Sequence, residues 1–446
     1  MGRAGREGRG DGGQMTDGSG MGTSVERGAG SAFLASGRPQ SVRDALYGSV
    51  RLSGWAVALL ATPPFRRLAG VSLSDVPGEL LFGRPFPSRL DHAMGVYSLA
   101  RVARPRDRAL QAAALAHDLG HGPLSHLTEP LMRERLGVTH EERSAALLAD
   151  VRAAVSTLPN AARAQLDWMD WDEVAALVLG KERGALLNGR LDYDNADNVA
   201  RFLLASELGI PEYDPRALVS GLRLARAHAN NPEAQRVYLT AEAEPAARAW
   251  QRDRARVYAY LHAGHRNLAL HAMLRKAVDL GAATGILPDD FFDLRDRQTL
   301  RLLGGALDRG LAGLVYDAQE GAAYACVWEA VVQGAGANRH IAALVAGWRE
   351  RLALESHLAA EAALPGAAVI LDLLTSSASR ALPPLGAPSD ERGVAPDARE
   401  ADDEPPAPTM LRLFAPASTG RDYLRRLCLV AERSFVPLGV VPFAEP

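Results

Sequence analysis

An alanine-rich stretch from Arg106 to His117 repeats small and apolar residues at helical spacing and stops at Gly120. Periodic stretches of the same kind cover His140 to Ala154, Asp194 to Leu208, Arg254 to Gly281 and Gln298 to Val315. Strand signals are weak and local, at Val71 to Phe86 and at Cys428 to Val441. There are no internal repeats. This pattern predicts an all-α fold with minor β elements.

The chain has 446 residues, 47% of them hydrophobic, which is enough for two or three packed units. Residues 1–38 are rich in Gly, Ser and Arg and have almost nothing to bury. They read as disordered, or as preceding a true start at Met15 or Met21. Residues 386–408 are dense in Pro, Asp and Glu and read as an acidic linker. The expected layout is a catalytic helical domain at 39–225, a helical extension at 226–385, that linker, and a small segment at 409–446. The best apolar run, Leu364 to Leu374, is too short to span a membrane. No apolar core follows the N-terminal charges, so a secretory signal is not expected. Two cysteines, Cys326 and Cys428, cannot build a disulfide framework or a four-thiolate zinc site, which fits a reducing cytoplasm. A net charge of −3 gives no push toward nucleic acid or anionic lipid. Lys181 and Lys276 are the only lysines, so phosphate contacts must lean on arginine.

Five of the eleven histidines lie between residues 92 and 140: His92, His117, His121, His126 and His140. His117 and Asp118 are adjacent at the end of the alanine-rich helix. Adjacent helical residues point about 100° apart, yet both can grip an ion that sits beyond the helix end. Imidazole nitrogen with carboxylate oxygen suits Zn, Fe, Mn, Ni or Co without any sulfur. His92 begins its own periodic stretch and could reach the same ion. For a fourth ligand the segment LDYDNADNVARF at 191–202 offers Asp192, Asp194 and Asp197. Three carboxylates at one helix start exceed what capping needs.

The order His…His-Asp…Asp, with HDLGHGPLSH after an alanine-rich helix, resembles the HD-domain metal-dependent phosphohydrolases. Within them it is most similar to the deoxynucleoside triphosphate triphosphohydrolase branch, which includes the sterile-alpha-motif HD protein. Arg89, His92, Gly95 and Val96 stand at the branch's R-x-x-H-x-x-G-V, and residues 117–126 fit its HD-[LI]-GH-x-P-x-SH in full. His140 and Glu141 supply a downstream His-Glu, and Leu187, Gly189, Leu191, Asp192, Asp194, Asp197 and Arg201 fall into register with its last motif. The resemblance covers about 65–225 and is weaker over Arg254 to Gly281.

The resemblance implies one divalent metal ion (Mn, Fe, Zn, Co, Ni or Mg) held by His92, His117, Asp118 and Asp194. It implies that His121 and His126 sit near the attacked phosphorus, with His126 oriented by Glu129, and that His140 holds phosphate or a second proton position. Arg89 would clamp phosphate oxygens, and Asn195 and Tyr260 would touch the substrate. It also raises a homo-oligomer, for which no motif here speaks. In the register that puts Asp194 at the metal, the family's Lys is Asn195, its Tyr is Asn198 and its final Asp is Phe202. A second register, aligning Leu191-Asp192-Tyr193 with the family's W-D-Y, leaves Gly189 at the ligand position, where no side chain can ligate.

Other polar residues read more plainly. His262, His265 and His271 have no carboxylate in register, so a solvated or core-lining role is expected. Trp168 and Trp171 read as packing residues, and the arginines at 216, 223 and 226 as a solvated face. The reading is therefore an HD-domain phosphohydrolase acting on a nucleotide or another phosphorylated small molecule. The alternatives are a phosphomonoesterase or nucleotidase of the same superfamily, and a non-catalytic nucleotide-binding regulatory protein.

Overall fold

A computed structural model describes residues 38–225, 236–321, 324–345, 347–375 and 409–443. The expected disordered tail before residue 38 and the expected linker at 386–408 lie outside the described residues.

The described residues begin with an antiparallel hairpin of β1 (Gln40–Asp44) and β2 (Gly48–Leu52), in a register that pairs Val42 with Val50. The helices that follow include α1 (Arg89–Ala103), α2 (Arg108–Ala116), α3 (His140–Ser156) and α4 (Tyr193–Ser206). Their starts are encoded locally. Ser88 and Asp91 form a reciprocal capping box on α1, Thr139 and Glu142 form another on α3, and Asp107 accepts from Leu110 N to start α2. A second hairpin, β3 (Leu222–Ala225) with β4 (Arg236–Leu239), precedes the long helices α5 (Glu244–Ala263) and α6 (His265–Ala283).

Every side chain of α2 from Ala109 to Ala116 is buried. The alanines let α1 and neighbouring helices approach closely, which explains why this helix shows no polar face. One core joins the first hairpin, through Val42, Tyr47, Val50 and Leu52, to these helices and to Trp250 and Val257 of α5. A second core is centred on α6 and on α7 (Arg309–Gln319).

The C-terminal part carries more β structure than the sequence suggested. β5 (Ala325–Val332), β6 (Ile370–Thr375), β7 (Thr409–Ala415) and β8 (Val440–Pro442) form one antiparallel sheet in the order β6-β7-β5-β8. The helices α8 (Trp348–Glu361) and α9 (Arg421–Phe435) bury their apolar faces in its core. The apolar run noted at Leu364 to Leu374 thus ends as a sheet strand. The strand expected over Cys428 to Val441 is mostly α9, whose Leu427, Val430, Ala431 and Phe435 recur at helical spacing. Gly439, at φ 86°, makes the turn that frees only Val440–Pro442 for the sheet. Val71 to Phe86 is not a strand either. It holds one isolated bridge, Ser72 to Ser88, and the short helix Gly78–Phe82. The backbone N–H of Ser72 goes to Asp296 Oδ2 at 2.7 Å, so the segment is pinned by a side chain rather than paired in a ladder. The molecule is mostly α-helical, and no helix among the described residues is long and apolar enough to cross a membrane.

Candidate metal centre and its cavity

Helix α1 carries His92 in its first turn, α2 ends at Ala116 with His117 as its C-cap, and α4 carries Asp194 in its first turn. These three elements bring the four expected ligands together. His92 Nε2 lies 3.3 Å from His117 Nε2 and 2.9 Å from Asp194 Oδ1. Asp118 Oδ1 lies 3.4 Å from His117 Nε2, and its Oδ2 lies 3.8 Å from His92 Nε2. One donor atom each from His92, His117 and Asp194 falls within a 4.8 Å set.

The tautomers are fixed from behind. His92 Nδ1 is 2.7 Å from Asp197 Oδ2, and His117 Nδ1 is 2.9 Å from Ala114 O. An oxygen acceptor at each Nδ1 places that ring's proton there and leaves Nε2 with its lone pair. Two imidazole nitrogens and two carboxylates then converge on one point, an arrangement that a bound metal ion, or in its place a proton on His92, satisfies. The donor set, two imidazole nitrogens and carboxylate oxygens, therefore fits a first-row divalent ion. Where no metal competes, burial opposes charge on His92. Its bonds to Asp194 and Asp197 override this and raise its pKa to about 10.

The three aspartates of 191–202 divide the work. Asp192 caps α4, accepting from Asn195 N at 2.7 Å and Gly189 N at 2.6 Å. Asp194 faces the imidazoles, and Asp197, one helical turn on, holds His92. Sequence reading missed this last role, although Asp197 and Arg201 stand at the i, i+4 spacing of a helical ion pair.

Arg89 is buried and donates to Asp118 Oδ2 at 2.9 Å, Ser125 Oγ at 3.0 Å and Leu73 O at 3.4 Å. Its guanidinium is thus largely engaged with protein, although it also lines the neighbouring cavity. Burial works against charge on Asp118, but Arg89 holds its carboxyl well below the usual range.

His121, His126 and His140 cluster beside the four ligands, with ring centroids 4.0 to 5.2 Å apart. His121 Nε2 is 3.3 Å from Asp118 Oδ1, so the two clusters touch. Burial and the Arg89 charge keep His121 well below the ordinary imidazole range. Glu129 Oε2 lies 3.0 Å from His126 Nδ1 and 3.3 Å from His140 Nδ1, so one carboxylate serves both rings. Desolvation in the cleft disfavours charge on His126, and the bond to Glu129 outweighs it, raising its pKa.

A cavity of about 530 Å³ opens beside this centre. Arg89, His126, Asn195, Asn198 and Phe202 line it on the helical side. Residues from α6, α8 and β6 close the other side, among them Arg275, Arg351 and Asp372. Tyr260 is not among the residues that line the cavity. Tyr260 stacks on Phe82 with centroids 6.1 Å apart, and Tyr258 lines the cavity instead. Two residues along a helix turn a side chain by about 200°, so only one of the pair can face inward. His271 lines the cavity, and its Nε2 is 3.7 Å from Asp75 Oδ2. The side chain of His262 lies outside the described residues.

Helices that present a His…His-Asp…Asp set around one point define an HD domain, and a family model of that description matches residues 89–203. The chain therefore carries an HD domain over about a quarter of its length, and in that region it is similar to metal-dependent phosphohydrolases. It is 30% identical over 121 residues to the human deoxynucleoside triphosphate triphosphohydrolase SAMHD1, covering 23% of this chain and 19% of that protein. It is 32% identical over 186 residues to the metal-dependent phosphohydrolase cns2 of Cordyceps militaris, covering 41% of this chain and 50% of that protein. The chain thus spans about a fifth of the first relative's length and half of the second's.

Proposed function

We infer that this protein hydrolyses a phosphate ester or anhydride of a nucleotide with the help of one divalent ion. The observation that carries this reading is the pair of imidazole Nε2 atoms 3.3 Å apart beside Asp118 and Asp194. His92, His117, Asp118 and Asp194 would hold the ion. When bound, such an ion supplies Lewis acidity, lowering the pKa of water and drawing charge from a phosphoryl oxygen. His126 is the proton donor to the leaving oxygen, and Glu129 keeps it protonated and oriented. His140 shares that carboxylate and offers a second donor at the phosphate. Arg89 fixes Asp118 at the edge of the cavity. Arg89, Arg275 and Arg351 line the cavity, each already paired with a carboxylate (Asp118, Asp372 and Asp279), so support for an anionic occupant comes from the ion that the neighbouring centre would hold. The size of the cavity suits a mononucleotide.

The similarity to a deoxynucleoside triphosphate triphosphohydrolase supports a triphosphate substrate. A second reading, a nucleotidase or other phosphomonoesterase, has its own support. Asn195, Asn198 and Phe202, which replace the Lys, Tyr and Asp of that branch, all line the cavity. Two amides and a phenyl ring there offer less charge to a triphosphate tail. Replacing His117 or Asp118 by Ala is expected to remove bound metal and phosphate release together. A variant that keeps full activity refutes the reading. A nucleotide panel that separates triphosphate from orthophosphate product decides between the two substrates, and a metal-loaded protein without turnover leaves the regulatory alternative.

A further inference from the structure

His92 is held from behind by a chain of buried charges that ends outside the family-matched segment. Asp197 Oδ2 meets His92 Nδ1 at 2.7 Å. Arg201 forks onto the same carboxylate, Nε to Oδ2 at 2.8 Å and Nη2 to Oδ1 at 2.9 Å. The remaining arm, Nη1, reaches Asp44 Oδ2 at 2.9 Å. His92, Asp197, Arg201 and Asp44 are all buried.

Asp44 is the last residue of β1, and its other oxygen builds the hairpin turn. Oδ1 accepts from Leu46 N and Tyr47 N, both at 2.8 Å. One carboxylate thus closes the turn with one oxygen and fixes Arg201 with the other. Asp197 stands on α4 three residues beyond Asp194, so holding Asp197 also sets the angle of the helix that presents Asp194. Partners of this kind tune metal affinity by about 10- to 100-fold.

We propose that the N-terminal hairpin is a brace for the metal centre, with Asp44, Arg201 and Asp197 as positioning residues that hold the His92 imidazole toward the ion. The proposal rests on the metal reading of the site. It makes residues 40–52 part of the functional unit, although the family match begins at residue 89.

Asp44→Asn is the discriminating variant. An amide oxygen can still accept from Leu46 and Tyr47, but the NH2 group now opposes the guanidinium. Arg216→Ala is the control, because Arg216 Nη2 tethers the hairpin at Tyr47 O (2.8 Å) without touching the relay. Co²⁺ titration of the full chain, read by visible absorption, gives both affinity and ligand field. The expected result is a Kd about 10-fold weaker for Asp44→Asn and up to about 100-fold weaker for Asp197→Asn, with an altered Co²⁺ spectrum. Arg216→Ala keeps the wild-type Kd and spectrum. Should Asp44→Asn not fold, Arg201→Lys tests the same link, since an ammonium cannot fork to Asp197 and reach Asp44 together. Wild-type affinity in the relay variants, or equal weakening in Arg216→Ala, overturns the brace while leaving the metal reading intact. A wild-type chain that takes up neither Co²⁺ nor Mn²⁺ overturns the metal reading and the brace with it.

Discussion

Replacing Gly95 by alanine sets two effects of opposite sign against each other. Gly95 lies inside α1, where alanine is favoured over glycine by about 1 kcal/mol. A Cβ at this position, however, would fall well inside contact distance of Asp197 Oδ1 and Arg201 Nη2, and 2.7 Å from Asp197 Cγ. Neither partner can retreat, because both are buried and bonded to each other and to His92 or Asp44. Forcing such a pair apart costs about 3–5 kcal/mol, so the net expectation is a loss of about 2–4 kcal/mol. Gly313 in α7 has nothing within 4 Å of a built Cβ, so Gly313→Ala should show only the propensity gain of about 0.5–1 kcal/mol. Urea unfolding of the metal-free proteins, followed by far-UV circular dichroism, reads both signs. Co²⁺ stoichiometry should fall for Gly95→Ala alone. If Gly95→Ala matches the wild type in stability and metal content, the close approach of Asp197 and Arg201 to α1 is not what excludes a side chain there.

Glu129→Gln should lower phosphate release by about 10²-fold while bound metal stays at the wild-type level, because it weakens the hold on both His126 and His140. Unchanged kcat would remove Glu129 from the proton-transfer scheme. Burial lifts the Asp296 carboxyl from 3.8 to about 6, although Leu124 N and Ser72 N donate to it. A folded pKa above the unfolded one gives a contribution fully present below about pH 4 and lost as pH rises through about 6, roughly 3 kcal/mol in all. The stability difference between the wild type and Asp296→Asn, measured in urea at each pH, should shift by that amount over this window; a flat difference contradicts it. Buried Glu355 lies 3.0 Å from Lys276 Nζ and accepts from Leu371 N at 2.8 Å, joining α8, α6 and β6. Glu355→Ala should destabilise by about 3–5 kcal/mol, whereas the double variant Lys276→Met/Glu355→Leu should lose much less; equal losses would show that the charge left behind is not the cause.

Much of the centre was legible because its residues are close in sequence or sit at helical spacing. His117 and Asp118 follow a helix that Gly120 ends, and the three aspartates of 191–202 crowd one helix start. Gly120 also has a steric reason, since a Cβ there would collide with the backbone of His140 and Ser144 at the start of α3. The four-stranded sheet was less legible. β8 has only three residues, β6 and β7 are far apart in sequence, and the alternation within β5 is interrupted by a register shift between Cys326 and Trp328. The strand expected over Cys428 to Val441 held only at its end, because the helical spacing of Leu427, Val430, Ala431 and Phe435 carries α9 to Phe435 and leaves Val440–Pro442 alone for the sheet.

By itself the sequence determined which side chains can bind an ion and where the helices that carry them begin, since capping and periodicity are local properties of the chain. It could not assign the aspartates, because caps, ligands and second partners all use the same carboxylate. Only the tertiary structure decided that Asp192 turns to the backbone, Asp194 to the imidazoles and Asp197 to the far side of His92. Only it could reveal that Asp44, 157 residues upstream of Arg201, completes the set. Hydrogen bonds to a buried charge depend on which elements meet, and that meeting is settled by the packing of the whole chain.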